Sequence, residues 1–188
     1  MEHERVVVIG AGPGGLAVAA ALGERGVSAL VVDRAPHVGA SWRGHYERLH
    51  LHTPRRWSGL PGHPIPRRYG RWVSRQHVVD YLEQYAAHHR LRLRLGTGAA
   101  EVTRGADGTG LGVVLDDGSR IEAEHVVVAT GYNHTPVAPS WPGLDSYPGE
   151  VRHARDYRNG RPYAGRDVLV VGAGNTGTEI ATDLAEHG

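Results

Sequence analysis

The spacing of apolar residues predicts a chain of short strands and a few helices. A β-branched run at residues 6–9 precedes an alanine-rich stretch, for which we expect a helix over residues 13–25. Gly26 is a natural helix stop, and a second apolar strand over residues 29–32 leads to Asp33. This strand–helix–strand order is typical of a parallel α/β sheet.

The middle of the chain divides into an irregular segment, a helix and a group of short strands. Residues 34–73 are dense in Pro, Gly, Arg, His and Trp, and a loop of that length is uncommon unless it has a function. Ser74 is expected to cap a helix that ends near residue 89. Short strands are then expected at residues 91–95, 99–103, 111–115, 120–123 and 126–129. The last of these is fully apolar, which is typical of a strand buried on both faces of its sheet.

A glycine motif follows the first apolar run and recurs after a similar run at residues 168–171, which we also expect to be a strand. The positions that we expect to bind nucleotide are Gly10, Gly12, Pro13, Gly14 and Gly15 in the first turn, and Gly172, Gly174, Asn175, Thr176 and Gly177 in the second. In G-x-G-x-x-G the first glycine permits a tight turn, the second lets the backbone approach a pyrophosphate, and the third lets helix and strand pack closely. The helix N-terminus then presents N–H groups and partial positive charge to the anion. Two such turns predict two nucleotides and electron transfer between them.

Asp33 stands 23 positions beyond Gly10, near where an acid of this fold accepts hydrogen bonds from an adenosine ribose. The alternative is a solvated residue at a strand end. A carboxylate there favours a free ribose hydroxyl pair and disfavours a 2′-phosphate, and Arg34 beside it joins the expected cofactor-binding set. The sequence runs only 16 residues past Gly172, so we expect the second site to lack its corresponding ribose-reading residue.

Composition and charge argue against several classes of function. A net charge of +1 gives no electrostatic argument for binding nucleic acid. The 188 residues contain no cysteine, which excludes a disulfide framework, a thiolate metal site and a C-x-x-C redox pair within them. The thirteen histidines lack zinc-ligand spacing, so no metal site is expected. With no apolar run near the roughly 20 residues of a membrane span, we expect no membrane partner and a cytoplasmic location.

Four stretches of the sequence resemble the flavin-dependent monooxygenases of the FMO and YUCCA type. They are the first turn with Asp33, residues 39–55, the Ala129-Thr130-Gly131 turn, and residues 147–162. The last stretch matches the pattern F-x-G-x-x-x-H-x-x-x-Y-[K/R]-x-x-x-[P/D], with Tyr147 in place of the leading Phe. The resemblance covers essentially the whole chain, which looks like the N-terminal portion of a longer protein.

The resemblance implies an α/β fold in three parts. These are a Rossmann-type FAD-binding domain with a β-meander insertion over residues 1–135, a linker with the identifying motif over residues 136–165, and the start of a second Rossmann-type NAD(P)-binding domain over residues 166–188. It also implies that Ser41, Trp42, His52 and Thr53 approach the flavin, and that residues 129–131 link the two nucleotide domains. For Trp42, an ordinary core tryptophan is an equally good interpretation. His153 and Tyr157 are expected to organise the hinge between domains.

The activity implied by the resemblance is oxygenation of a small organic molecule. NADPH reduces FAD, O2 adds to the reduced flavin to give a C4a-(hydro)peroxyflavin, and one oxygen atom passes to the substrate. Because the cofactor carries out this chemistry, no protein side chain is predicted to be catalytic. The alternative is a truncated, inactive module that holds FAD and NAD(P) weakly or not at all. The sequence does not indicate the substrate or the oligomeric state.

Overall fold

Six strands form one mixed sheet in the computed structural model, which describes residues 2–105, 108–133 and 135–188. The strands are β1 Glu2–Ile9, β2 Ala29–Asp33, β3 Arg92–Leu95, β4 Ala99–Arg104, β5 Leu111–Leu115 and β6 Arg120–Val128. Their order across the sheet is β3-β2-β1-β6-β5-β4. The first four in that order are parallel, and β4, β5 and β6 form an antiparallel meander. The expected Rossmann-type fold with a meander is therefore confirmed.

Strand β6 joins the two parts of the sheet. The sequence predicted two strands here, at residues 120–123 and 126–129, and that division is wrong. The first residues of β6 pair with β5, and the strand continues along β1 as far as the pair Ile9↔Val128. Backbone pairing thus continues through the exposed polar residues Glu124 and His125, because a ladder depends on neighbouring backbone rather than on side-chain polarity.

The two faces of β1 lie in different parts of the core. Val6 and Val8 belong to a cluster with the helices, whereas Val7 and Ile9 belong to a cluster with β5 and β6. This alternation places helices on one face of the parallel strands and the meander on the other. Burial of residues 126–129 on both faces is not observed, since neither cluster includes Val128 and it is 67% exposed.

In the part of the chain that the structure describes, five α-helices accompany the sheet: α1 Pro13–Gly23, α2 Ala40–Arg43, α3 Arg55–Ser58, α4 Arg75–His88 and α5 Asn175–His187. Helix α1 ends two residues before the predicted boundary, and Gly26 follows it at φ 75°. The predicted cap of α4 is confirmed, because the Ser74 side chain accepts a hydrogen bond from the His77 N–H at 3.4 Å.

Residues 34–73, expected to be irregular, contain the short helices α2 and α3 and are fastened to α4. The Tyr81 hydroxyl donates to the His63 carbonyl at 2.6 Å, and the Tyr85 hydroxyl donates to the Pro61 carbonyl at 2.7 Å. Both tyrosine rings are fully buried. The segment therefore has a fixed course over the helical face of the sheet.

The strand expected at residues 168–171 is not formed. Val168, Leu169 and Val171 are exposed to 42%, 86% and 65%, and none of the described strands pairs with them. A strand requires hydrogen bonds from a neighbour, so an apolar β-branched run alone does not produce one. Among the described residues, no helix is both long and apolar enough to cross a bilayer.

Candidate nucleotide-binding site

The two glycine turns share one backbone geometry. Gly10 and Gly172 have φ of 114° and 126°, values that favour glycine. Gly12 and Gly174 cap α1 and α5 with φ/ψ of −82°/−179° and −78°/−179°. The second turn therefore adopts the local conformation of the first even without a flanking strand.

The remaining glycines of the turns meet the two requirements of the motif. A Cβ on Gly15 or Gly177 would overlap the carbonyl oxygen of the first glycine of its own turn, so close packing there needs glycine. A Cβ on Gly12, Gly14 or Gly174 would meet no atom within 4 Å. This open space lies directly before a helix N-terminus.

The helical hydrogen bonds begin only after these open positions. In α1 the Leu16 N–H donates to the Gly12 carbonyl at 3.0 Å, and in α5 the Thr178 N–H donates to the Gly174 carbonyl at 3.0 Å. The N–H groups before them have no carbonyl four residues earlier within the helix. Both turns therefore fit a pyrophosphate, which would occupy the open space and accept from these groups.

Asp33 and the Ala129-Thr130-Gly131 turn lie against the first glycine turn. The Asp33 carboxylate accepts from the Ala11 N–H at 2.7 Å and from the Ala35 N–H at 2.8 Å. A Cβ on Gly10 would overlap the carbonyl of Ala129, which puts that carbonyl in direct contact with the first turn. The strand end is thus fixed beside Ala11, while Arg34 is exposed to solvent.

Ser41 and Trp42 are carried to the first turn by helix α2. The Gly39 N–H, just before this helix, donates to the Ala11 carbonyl at 3.0 Å. Ser41 is exposed, whereas Trp42 is partly buried and packs against two clusters of the core. These contacts give Trp42 a core role, and its approach to a flavin stays a prediction.

His52 lies against the second turn. The Asn175 amide donates to His52 Nδ1 at 2.9 Å, and His52 Nε2 is 3.5 Å from the Glu179 carboxylate. Thr53 Oγ1 is 2.6 Å from Ser58 Oγ. The structure thus brings His52 together with the second predicted site, while the approach of either residue to a flavin stays a prediction.

A cleft of about 580 Å³ separates the 48–52 segment from helix α5. It is lined by Arg48, His50, Leu51, His52, Trp72, Asn175, Thr178, Glu179 and Thr182. One wall carries basic and aromatic side chains, and the other carries hydroxyls, an amide and a carboxylate. The cleft opens beside the N-terminus of α5, so a nucleotide at the second turn would lie at its edge.

Two buried tyrosines that sequence reasoning left without a hydrogen-bonding role contact α5. The Tyr46 hydroxyl donates to Glu179, and the Tyr157 hydroxyl donates to Asp183 at 2.5 Å. Burial, with the neighbouring carboxylate, raises the pKa of each phenol far above its usual range. Both tyrosines therefore remain protonated hydrogen-bond donors. The one signal in the sequence is the pair of acids four positions apart on a helix that begins at a glycine turn.

No group of three or more His, Cys, Asp or Glu side chains suited to a metal ion occurs within residues 2–105, 108–133 and 135–188. His153, expected in the hinge, uses Nδ1 to accept from the Arg155 N–H at 3.1 Å. This is a local cap of a short 3₁₀ turn, Ala154–Asp156. The hinge role of His153 stays a prediction.

Comparison with known proteins places the geometry in context. Residues 7–188 match the family described as pyridine nucleotide-disulphide oxidoreductase. The chain is 42% identical over 183 residues to the indole-3-pyruvate monooxygenase YUCCA1 of Oryza sativa subsp. japonica, covering 97% of this chain and 45% of that protein. It is 38% identical over 190 residues to the probable indole-3-pyruvate monooxygenase YUCCA8 of Arabidopsis thaliana, covering 96% of this chain and 44% of that protein.

Solved structures of flavin monooxygenases also match the chain. The flavin-containing monooxygenase from Stenotrophomonas maltophilia superposes with a TM-score of 0.90 at 33% identity, covering 99% of this chain and 56% of that one. The chain therefore spans about half the length of the relatives it matches, and it corresponds to their N-terminal portion.

Proposed function

The chain belongs to the pyridine nucleotide-disulphide oxidoreductase family, and we propose that it forms the FAD-binding portion of a flavin-dependent, NADPH-using monooxygenase. The observation that carries the proposal is the pair of glycine turns, with matching torsions and open positions at Gly12 and Gly174. Its flavin-dependent monooxygenase relatives support oxygenation rather than disulfide chemistry. Within this proposal the domains extend over residues 1–135, 136–165 and 166–188.

In this proposal FAD binds at the first turn. The N–H groups at the start of α1 hold the pyrophosphate, and Asp33 accepts from the ribose while keeping its bond to Ala11. An ionised carboxylate has about four acceptor positions, so two backbone donors leave capacity for ribose hydroxyls. The carbonyl of Ala129 and the residues after it close the site beside Gly10.

The second turn holds NADPH in the same manner, through the N–H groups at the start of α5. When both cofactors are bound, they supply hydride transfer and the activation of O2. The protein holds them in place and excludes water from the space between them. His52, between the 48–52 segment and Asn175, is placed to contact whatever extends from the second turn.

The substrate is proposed to be a small organic molecule. Because the plant relatives are named indole-3-pyruvate monooxygenases, indole-3-pyruvate is the first compound to test. The cytoplasm is the proposed compartment, in line with the expectation from the sequence.

A matched pair of substitutions tests the two sites. Gly12→Val and Gly174→Val each place a branched side chain in open space, at torsions that any L-residue adopts, so neither should strain the protein. We expect Gly12→Val to abolish flavin retention, measured by absorbance after release, and to leave NADP+ binding largely intact. Gly174→Val should weaken NADP+ binding, measured by calorimetry, and keep the flavin.

Wild-type flavin content in Gly12→Val would contradict the assignment of the first site. The monooxygenase activity itself is tested by NADPH-dependent incorporation of ¹⁸O from O2 into product. Flavin binding without NADPH oxidation or oxygen incorporation would favour the alternative, an inactive nucleotide-binding module. The exposed side chains of Val168, Leu169 and Val171 are the observation that keeps this alternative open.

A further inference from the structure

Two tyrosines from separate segments donate hydrogen bonds to adjacent turns of helix α5. Tyr46 comes from the segment that leads to the cleft, and Tyr157 comes from the linker. Their hydrogen bonds end on Glu179 and Asp183, which are four positions apart and so lie on one face of the helix. The two rings meet edge to face with centroids 6.4 Å apart.

The contact is buried and includes the second glycine turn itself. Tyr46 and Tyr157 are 3% and 5% exposed, and Ile180 packs between the same elements at 6%. Thr176, a residue of the turn, lies close enough to the Tyr46 hydroxyl to act on its pKa, which it lowers against the larger effects of burial and of Glu179. Helix α5, which begins at the second turn, is thus connected directly to Tyr46 and so to residues 46–52.

Weaker contacts continue the same interface. Arg48 forms an ion pair with Glu186 at the far end of α5, where the two side chains are 33% and 53% exposed. The Glu47 N–H donates to the Arg158 carbonyl at 2.8 Å, which joins the two segments that carry the tyrosines. Surface ion pairs contribute little to stability, so the buried tyrosine–carboxylate bonds dominate the attachment.

We propose that the Tyr46–Glu179 and Tyr157–Asp183 pairs form a clamp that positions the second glycine turn, and that Tyr46 and Glu179 are positioning residues for NADP(H) binding. The inference rests on the proposed function and adds two residues that lie outside the glycine motif. Nucleotide binds well only when the second turn faces residues 46–52, and the clamp keeps helix α5 in that arrangement. Loosening the clamp lowers the fraction of molecules that can bind nucleotide. The apparent dissociation constant then rises in inverse proportion to that fraction.

The primary test is Tyr46→Phe, which keeps the ring in the core and removes only the hydroxyl. We expect the NADP+ dissociation constant, measured by calorimetry on the purified full chain, to rise about tenfold, as for other hydrogen bonds to charged groups. Flavin content should be unchanged. Tyr147→Phe is the matched control: it removes the same atom from a side chain that is 58% exposed, and it should change neither quantity.

Coupling between the partners gives a second criterion. Tyr46→Phe and Glu179→Gln both disrupt the same hydrogen bond, the one between Tyr46 and Glu179. The double variant should therefore bind NADP+ about as tightly as whichever single variant binds it less tightly. An unchanged dissociation constant in Tyr46→Phe, or fully additive losses in the double variant, would overturn the clamp. A parallel loss of flavin would also overturn it, because the tyrosine would then serve general folding.

Amide hydrogen exchange supplies a readout that needs no nucleotide. Tyr46→Phe and Tyr157→Phe should each speed exchange in α5 and leave exchange in α1 unchanged. If the parent protein bound no NADP+, the proposed function would fail, while the exchange rates would still decide whether the clamp holds α5. Unchanged exchange in both variants would reject the clamp.

Discussion

At the scale of single residues, Asp33 combines a structural and a proposed binding role. Its carboxylate accepts from two backbone N–H groups, at 2.7 and 2.8 Å, and thereby fixes the first turn to the end of β2. This arrangement explains why an acid rather than a neutral residue suits the position. The turn then faces the nucleotide with Ala11 already held in place.

Replacing Asp33 should therefore destabilise the protein even without FAD. In Asp33→Ala the N–H groups of Ala11 and Ala35 lose their acceptor in a partly buried place, and we expect the free energy of unfolding to fall by about 1–3 kcal/mol. Urea denaturation of the flavin-free protein measures this. Asp117→Ala, which removes an exposed cap of Ser119, is the control and should cost less. Equal losses in the two variants would contradict the structural role.

His63 gives the protein a predictable dependence on pH. Burial, together with nearby His88 and His89, lowers the pKa of His63 below its ordinary 6.5. The unfolded chain then binds the proton more readily than the folded one. The contribution of His63 to the free energy of unfolding is consequently complete above about pH 6.5. It is lost as the pH falls from there toward the pKa of His63 in the folded protein.

Between about pH 7 and pH 5 the free energy of unfolding should fall less steeply in His63→Gln than in the parent. The change in slope should correspond to less than one bound proton. His45, whose pKa is lowered by burial and by Arg158 and Arg75, should retain part of that slope. Urea denaturation at several pH values gives the measurement. The exposed His37 provides the control, and a slope altered equally by His37→Gln would refute the assignment to His63.

At the scale of elements, helix α5 packs closely against the linker at Gly160. A Cβ on Gly160 would lie 2.8 Å from the Asp183 carbonyl oxygen, a backbone atom that cannot move without the helix. Gly160 has φ −72°, so the requirement for glycine comes from close approach rather than from strain. The contacts that hold α5 in place therefore include a close backbone approach as well as the tyrosine hydrogen bonds.

Gly160→Ala should displace α5 and lower the unfolding free energy by about 1–3 kcal/mol. Gly23→Ala in α1, where a Cβ would meet nothing within 4 Å, is the control and should be neutral or stabilising by about 0.5–1 kcal/mol. Denaturation curves compare the two variants. A neutral Gly160→Ala would mean that the linker does not press on α5.

The sequence predicted most elements because their signals are local. The bounds of β5 and the cap of α4 were correct, since a turn sequence or a capping serine lies within a few residues of each. The unbroken β6 and the unpaired 168–171 run were not predicted, because pairing depends on neighbours that are distant in sequence. The Tyr46–Glu179 bond spans 133 positions, and the pair of acids on α5 does not by itself indicate which distant side chain contacts it.

At the scale of the whole molecule, the apolar core is concentrated in the first 130 residues. Most of the exposed large apolar side chains lie beyond that point: Tyr132, Val137, Trp141, Tyr147, Val151, Val168, Leu169 and Val171. Leu169, at 86% exposed, stands in a β-branched run that has no strand partner among the described residues. Such a run offers apolar side chains and unpaired backbone to another copy of the chain.

The 188-residue polypeptide should therefore associate with itself in proportion to its concentration. Leu169→Glu places a charge in the run at a side chain that belongs to none of the three core clusters, so it should shift the sedimentation profile toward monomer. Trp57→Glu makes the same change of charge at a side chain that is 74% exposed and lies outside this run, and it should leave the profile unchanged. If both substitutions acted equally, association would reflect net charge. Selective action of Leu169→Glu would mean that residues 168–171 form the surface through which copies of the chain associate, because Leu169 is 86% exposed and its run pairs with none of the described strands.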